Sequence, residues 1–131
     1  MDTRTAARPF AQGDSTHRRG RQAEAAGRRW LEERGYRILA TNYRTPLGEI
    51  DLVAREQDTV CFIEIKARVS PAHGPAIGAV TARQRARVAR AAALYLQATG
   101  YEGPCRFDVL GLDWDGEDWL FELVQEAFEA P

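Results

Sequence analysis

The stretch GEIDLVAREQDTVCFIEIKAR, residues 48–68, decides the fold of this chain. It holds two β-prone segments, residues 49–55 and 59–68, separated by the short turn Glu56-Gln57-Asp58. So short a connection predicts that the two segments pair as antiparallel strands. From Val60 to Ala67 the second segment is apolar except for Glu64 and Lys66, so it predicts a strand in the middle of a sheet.

Outward from this pair, the sequence predicts two helices and three further strands. Thr81 and Gln84 form a capping-box pattern before the second helix, and Gly100 follows its end. A helical crossover makes the strands on either side of it parallel. The predicted elements are a helix over 18–34, strands over 36–44, 49–55 and 59–68, a helix over 82–98, and strands over 106–113 and 118–124.

These elements predict an α/β fold with a mixed five-stranded sheet flanked by helices. A chain of 131 residues is expected to form one domain, here residues 18–131. Residues 1–17 have arginines but no apolar run, so we expect a disordered tail there. A loop rich in Gly and Pro is expected over 69–78.

Charged side chains occupy the two central strands. Alternation places Glu49, Asp51 and Val53 on one face of the second strand. It also places Glu64 and Lys66 on one face of the third strand. A charge beside a sheet core costs several kcal/mol unless it is paired or bound to a metal. One explanation is an ion pair of Lys66 with Asp51 or Glu64. The other is a site where the two carboxylates hold a hard cation such as Mg²⁺ or Mn²⁺.

Lysine use supports the second explanation. Of the 18 basic residues, 17 are arginine, and Lys66 is the one lysine. Arginine does not lose its proton in proteins, whereas a lysine amine can handle a proton or stabilise a developing charge. The sequence therefore favours a role at position 66 that arginine cannot fill.

The spacing of these residues resembles the PD-(D/E)XK phosphodiesterase motif, in which an Asp on one central strand precedes a (D/E)-x-K on the next. More closely, the chain resembles the YraN family of small bacterial proteins, which are likened to archaeal Holliday-junction resolvases. The resemblance implies a restriction-endonuclease-like fold. The stretches that carry it span roughly residues 20–128 and are AEAAGRRWLEERGYRILATNYR, GEIDLVA, FIEIKAR, AVTARQRARVARAAALYL and RFDVLGL.

The resemblance also implies roles for individual residues. Asp51 and Glu64 match the ligands of a catalytic Mg²⁺ or Mn²⁺, and Lys66 matches the catalytic lysine. The residues implied as further metal ligands or acidic neighbours are the Ile65 backbone carbonyl, Glu24 and Glu49. For Glu24 the alternative is an ordinary helix-surface pair with Arg28, four residues on.

Two positions depart from the family pattern. Ile50 stands where the motif name has proline, which the family tolerates. Gln84 stands where related sequences have lysine, so a basic contact near the site is expected to be missing unless Arg83 or Arg85 replaces it.

The function implied is metal-dependent endonucleolytic hydrolysis of DNA, in branched or single-stranded form. One alternative is a nucleic-acid-binding module of the same fold without catalysis. Another is an interaction protein that dimerises through its sheet edge or its acidic hairpin. By analogy with resolvases, which cut two strands, a homodimer is the expected assembly.

Charge is distributed unevenly along the chain. Residues 1–44 carry ten arginines and five acidic residues, and residues 107–131 carry eight acidic residues and no basic one. The basic segments predict a polyanion-binding face, with a solvated helix surface as the alternative. The candidate DNA contacts are Arg28, Arg44, Arg68, Arg83 and Arg87.

Compartment follows from cysteine use and hydropathy. Cys61 and Cys105 form no CxxC pair, so both are expected to be reduced. No apolar stretch is long enough to cross a bilayer, and the first residues lack the apolar core of a secretory signal. We therefore expect a cytoplasmic protein without a membrane partner.

Overall fold

The computed structural model describes residues 16–68 and 80–130. Most of the expected tail and the whole expected loop lie outside these residues. All seven predicted elements are present, and most of their ends shift by one or two residues. They are α1 (Thr16–Glu33), β1 (Arg37–Thr45), β2 (Gly48–Glu56), β3 (Thr59–Arg68), α2 (Ala82–Thr99), β4 (Cys105–Trp114) and β5 (Trp119–Phe128).

The sheet has the order β1-β2-β3-β4-β5. Neighbours are antiparallel except for β3 and β4, which run parallel. The α2 crossover between β3 and β4 explains this one parallel pair, because a strand that returns to the same end must run in the same direction. The predicted α/β fold with a five-stranded mixed sheet and flanking helices is confirmed, and it is consistent with a restriction-endonuclease-like fold.

Each face of the sheet is covered by one helix. The face under α1 buries Leu31 against Ile63 and Leu110, and the face under α2 buries Val88 against Phe62. Both helices meet the sheet through the apolar stripes that the sequence predicts. Neither helix in the described residues is long and apolar enough to span a membrane.

The ends of α2 follow the predicted capping chemistry. The Gln84 backbone N–H donates to Thr81 Oγ1 at 3.1 Å, and the Thr81 N–H donates to Gln84 Oε1 at 2.9 Å. Gly100 takes a left-handed conformation with φ of 71° and donates its N–H to the Leu96 carbonyl. Because its side chain completes the cap, Gln84 serves the helix terminus.

The turn between β1 and β2 lies directly against α2. A Cβ atom added at Gly48 would stand 2.0 Å from the backbone oxygen of Arg87. Backbone cannot swing aside as a flexible side chain does, so only glycine fits here without a shift of the helix. This close contact fixes the distance between the first residue of β2 and the backbone of α2.

We predict that Gly48→Ala lowers the free energy of unfolding by about 1–3 kcal/mol, the usual cost of overpacking. The matched control is Gly20→Ala on α1, where an added Cβ meets no atom within 4 Å. That control should be neutral or stabilising by up to about 1 kcal/mol, because alanine favours a helix. Urea unfolding of both variants measures the difference, and equal midpoints would show that the turn tolerates a side chain.

Candidate active site

The ladder between β2 and β3 ends at the pair Leu52 and Ile63. Beyond it, the Ile65 backbone N–H donates to Asp51 Oδ2 at 2.7 Å instead of to a backbone carbonyl. The Asp51 carboxylate therefore occupies a gap where the two strands part. The N–H and C=O of one strand residue point to the same side, so the Ile65 carbonyl also faces this gap.

One predicted facial assignment is wrong. Ile50 and Val53 pack in the same core cluster beneath α2, although strict alternation would put them on opposite faces. The alternation therefore breaks between Ile50 and Val53, next to the end of the β2–β3 ladder at Leu52. As a result Asp51, which accepts a hydrogen bond from Ile65 on β3, does not share a regular face with Val53.

Glu64 is buried beside Asp51, with 9% of its surface exposed. The two carboxyl groups are joined by a hydrogen bond, and Glu64 Oε1 has no hydrogen-bond partner. Burial raises the pKa of Glu64 to about 9, and the neighbouring charge of Asp51 adds to the rise. Burial also raises the pKa of Asp51, although the bonds from Glu64 and Ile65 oppose this. The pair therefore retains a proton at neutral pH.

Lys66 is half-buried on β3, two residues beyond Glu64. Its positive charge lowers the pKa of both Asp51 and Glu64, in each case less than burial raises it. Among the described residues, no ion pair within 4.0 Å joins Lys66 to a carboxylate. Lys66 thus acts on the pair through space, and direct ion pairing does not explain why these charges converge.

Glu24 approaches the pair from α1. Its Oε1 accepts a hydrogen bond from Asn42 Nδ2 at 3.1 Å. Burial raises the pKa of Glu24, and the charge of Asp51 contributes to the rise. The alternative partner Arg28 lies 3.8 Å from Glu32 instead. The structure therefore brings Glu24 within electrostatic range of the strand carboxylates.

Asn42 is the site residue that the sequence analysis missed. It lies within β1 with φ of 51°, a left-handed conformation that asparagine tolerates better than most residues. This conformation accompanies the bond to Glu24. An asparagine inside an otherwise β-prone run was the signal that could have marked it.

Glu49 is exposed and lies between two arginines. Its carboxylate is 3.6 Å from Arg44 and 3.8 Å from Arg87. Exposed pairs of this kind contribute little to stability. Through these two contacts the Glu49 side chain on β2 connects β1 with α2. Its role as a metal ligand remains a prediction.

The remaining candidate arginines are spread over the molecule. Arg68 is the last residue of β3 and is half-buried, whereas Arg83 is exposed in the first turn of α2. Arg28 and Arg44 are exposed on α1 and β1. They lie on four different elements, α1, β1, β3 and α2.

A second buried charged cluster lies at the opposite end of the sheet. The Arg106 guanidinium donates to Asp108 at 2.9 Å and to Glu56 at 2.9 Å, and it also donates to Tyr36 Oη. Asp108 is fully buried and accepts the Glu126 N–H as well. These acceptors and donors satisfy one another, so this cluster fastens β2, β4 and β5 together.

The donor set at the strand gap suits a hard divalent cation. It combines the carboxylates of Asp51 and Glu64 with the backbone carbonyl of Ile65. One oxygen of the Glu64 carboxylate is buried and has no hydrogen-bond partner. In the part of the chain that the structure describes, no three His, Cys, Asp or Glu side chains surround a common point. Magnesium ordinarily keeps several waters, so two carboxylates fit it.

The candidate site lies within the part of the chain that is similar to known proteins. A family model described as "Uncharacterised protein family UPF0102" matches residues 23–112. A UPF0102 protein of Desulfosudis oleivorans is 42% identical over 112 residues, covering 85% of this chain and 89% of the relative. One from Chlorobium chlorochromatii is 45% identical over 121 residues, 88% of this chain and 94% of the relative. One from Moorella thermoacetica is 43% identical over 114 residues, which cover 85% of this chain and 95% of the relative.

The raised pKa of Glu64 predicts a stability that depends on pH. Between its ordinary value of 4.5 and about 9, the folded chain holds a proton that the unfolded chain releases. Stability therefore falls as pH rises through this window. Glu64→Gln cannot ionise, so its melting temperature should gain on that of the wild type between pH 5 and pH 8, by the equivalent of up to about 1.4 kcal/mol for each pH unit.

The control for this experiment is Glu122→Gln, an exposed glutamate on β5. Its melting temperature should follow that of the wild type at every pH. Differential scanning calorimetry over the pH series makes the comparison. Parallel curves for wild type and Glu64→Gln would show that Glu64 titrates as an ordinary surface carboxylate.

Proposed function

The chain belongs to the uncharacterised protein family UPF0102, and we propose that it is a Mg²⁺- or Mn²⁺-dependent endonuclease that hydrolyses DNA phosphodiester bonds. The observation that carries the proposal is the hydrogen-bonded Asp51–Glu64 pair in the gap between β2 and β3. The finer assignment, to the YraN family and the PD-(D/E)XK superfamily, is part of the proposal and is supported by the Asp51, Glu64 and Lys66 spacing.

The pair is unfavourable without a positive partner. Two buried carboxyl groups in contact cannot both ionise, and the remaining oxygen of Glu64 has no donor. In the proposal, Asp51 and Glu64 hold the cation together with the Ile65 carbonyl. A bound divalent cation polarises a phosphoryl oxygen and makes a water more acidic. The Ile65 N–H keeps Asp51 oriented towards the gap throughout.

Lys66 handles the remaining charge in the proposed reaction. Hydrolysis forms a bond from a water oxygen to phosphorus and breaks the bond from phosphorus to the leaving sugar oxygen. The Lys66 amine, two residues from Glu64 on the same strand, either takes the proton of that water or offsets the negative charge that develops at phosphorus. Arginine could perform only the second task.

A second candidate function is a nucleic-acid-binding module without catalysis. It is favoured by one observation: in the described residues the site has two converging carboxylates and no group of three. The proposal also includes a homodimer, because cutting both strands of a junction needs two sites. It includes a cytoplasmic location, with which the free thiols of Cys61 and Cys105 agree.

Cleavage assays test the proposal. The full chain with Mg²⁺ or Mn²⁺ should nick at least one of four DNA substrates: four-way junction, flap, duplex and single strand. Asp51→Asn and Glu64→Gln should lower the rate at least about 100-fold, the scale of a lost catalytic group. Lys66→Arg separates the two lysine roles, because it keeps the charge and loses the ability to accept a proton.

Glu122→Gln on β5 is the control and should cleave at the wild-type rate. Chelation with EDTA should stop the reaction. Salt-sensitive binding without cleavage of any substrate would favour the second candidate function. Cleavage that survives Asp51→Asn would exclude this site as the source of activity.

A further inference from the structure

A groove of about 360 Å³ runs between α1 and β1. We propose that this α1 groove binds the phosphodiester backbone of the DNA strand that leads into the Asp51–Glu64 site. This inference rests on the proposed function and names the surface that receives its substrate. The lining residues that carry the argument are Arg21, Arg28 and Arg29 on α1, and Thr41, Asn42 and Leu52 on the sheet.

The groove concentrates positive charge on one helix face. Arg21, Arg28 and Arg29 are all exposed, and the small side chain of Ala25 lies among them on the same wall. A guanidinium group presents a planar fork of donors that matches phosphate oxygens. Among the described residues, Arg28 is the one of these three with an ion pair, at 3.8 Å from Glu32, which also lines the groove, and both side chains are about half exposed. Such a pair is weak enough for a phosphate to replace.

The groove borders the candidate active site through Leu52 and Glu24. Leu52, which lines the groove, is the residue after Asp51 on β2. Glu24 also lines it and is tied to Asn42 on β1 by the 3.1 Å hydrogen bond. That bond holds the Glu24 carboxylate at the sheet wall, within electrostatic range of Asp51. Glu24 and Leu52 therefore connect the groove, with its three arginines, to the neighbouring acidic site.

The lining chemistry favours the backbone over the bases. None of the described residues that line the groove is aromatic, so it provides no platform for base stacking. Its lining offers charged and polar side chains, which recognise phosphate and sugar and carry no sequence information. An acidic peptide could also match arginines, but it would give the adjoining carboxylate pair no function. The observations thus favour a nucleic acid strand.

The arginines of α2 form a weaker candidate surface. Arg87 lies 3.8 Å from Glu49, and Arg85 stacks over the Phe128 ring at 5.8 Å. Arg90 is exposed on the same helix and lines no part of the α1 groove. It provides the control, because it is the same residue type on an exposed helix surface and is not among the candidate DNA contacts.

The experiment measures DNA binding by the full chain in EDTA, where no cleavage occurs. Fluorescence anisotropy with labelled duplex and single-stranded DNA gives the affinity at several salt concentrations. The variants are Arg21→Ala/Arg29→Ala in the α1 groove and Arg90→Ala on α2. Alanine favours helix at least as well as arginine, so both variants should fold, which circular dichroism checks.

The α1 variant should lower affinity about tenfold or more and reduce the slope of log affinity against log salt by about 2, one for each lost phosphate contact. The loss should be the same for two duplexes of different sequence. The α2 variant should keep the wild-type slope. An unchanged slope in the α1 variant, or a larger loss in the α2 variant, overturns the inference.

This outcome is separable from that of the cleavage assay. If the wild type cleaves DNA and the α1 variant keeps the wild-type slope of log affinity against log salt, the nuclease proposal stands and the α1 groove is not the surface that binds the DNA strand. A reduced α1 slope without any cleavage would retain the groove as a nucleic-acid site and reject the catalytic proposal. Binding of poly-glutamate that depends on the α1 arginines, with no binding of DNA, would overturn the inference in favour of an acidic protein partner.

Discussion

The hydrogen bond from the Ile65 backbone N–H to Asp51 Oδ2 is the contact on which the candidate site depends. At 2.7 Å it replaces the ladder bond that β2 would otherwise supply, so the two strands can part without leaving a buried donor unsatisfied. It also fixes the Asp51 carboxylate in the gap, where it meets Glu64. Both the opening in the sheet and the position of the acid follow from this one substitution of a side-chain acceptor for a backbone acceptor.

The two ends of the sheet show what is unusual about the pair. Asp108 is fully buried, yet Arg106 and the Glu126 N–H satisfy both of its oxygens. Glu64 is buried beside another acid and has an oxygen without a partner. Among the charges near Glu64, that of Asp51 has the largest effect, and it raises the pKa of Glu64. Stability explains the first arrangement and not the second, so we infer that Glu64 is placed for binding a ligand.

The sequence predicted the elements and the relative strand directions well, because β-prone strands, a capping box and a single helical crossover leave few arrangements open. It also brought Asp51, Glu64 and Lys66 onto adjacent strands. It could not predict that the ladder would end at Leu52, because apolar alternation gives no signal for where two paired strands part. The sequence also carries no signal for contacts between segments that are far apart along the chain, such as the hydrogen bond from Asn42 to Glu24.

The central claim is that the Asp51–Glu64 pair exists to hold a divalent cation, and metal binding tests it without requiring a DNA substrate. Isothermal titration calorimetry with Mn²⁺ at pH 8 measures the stoichiometry and affinity for the wild type and for Asp51→Asn. The account predicts one Mn²⁺ per chain for the wild type and a loss of binding of at least about tenfold in Asp51→Asn. No binding to the wild type, or equal binding to both proteins, would contradict it.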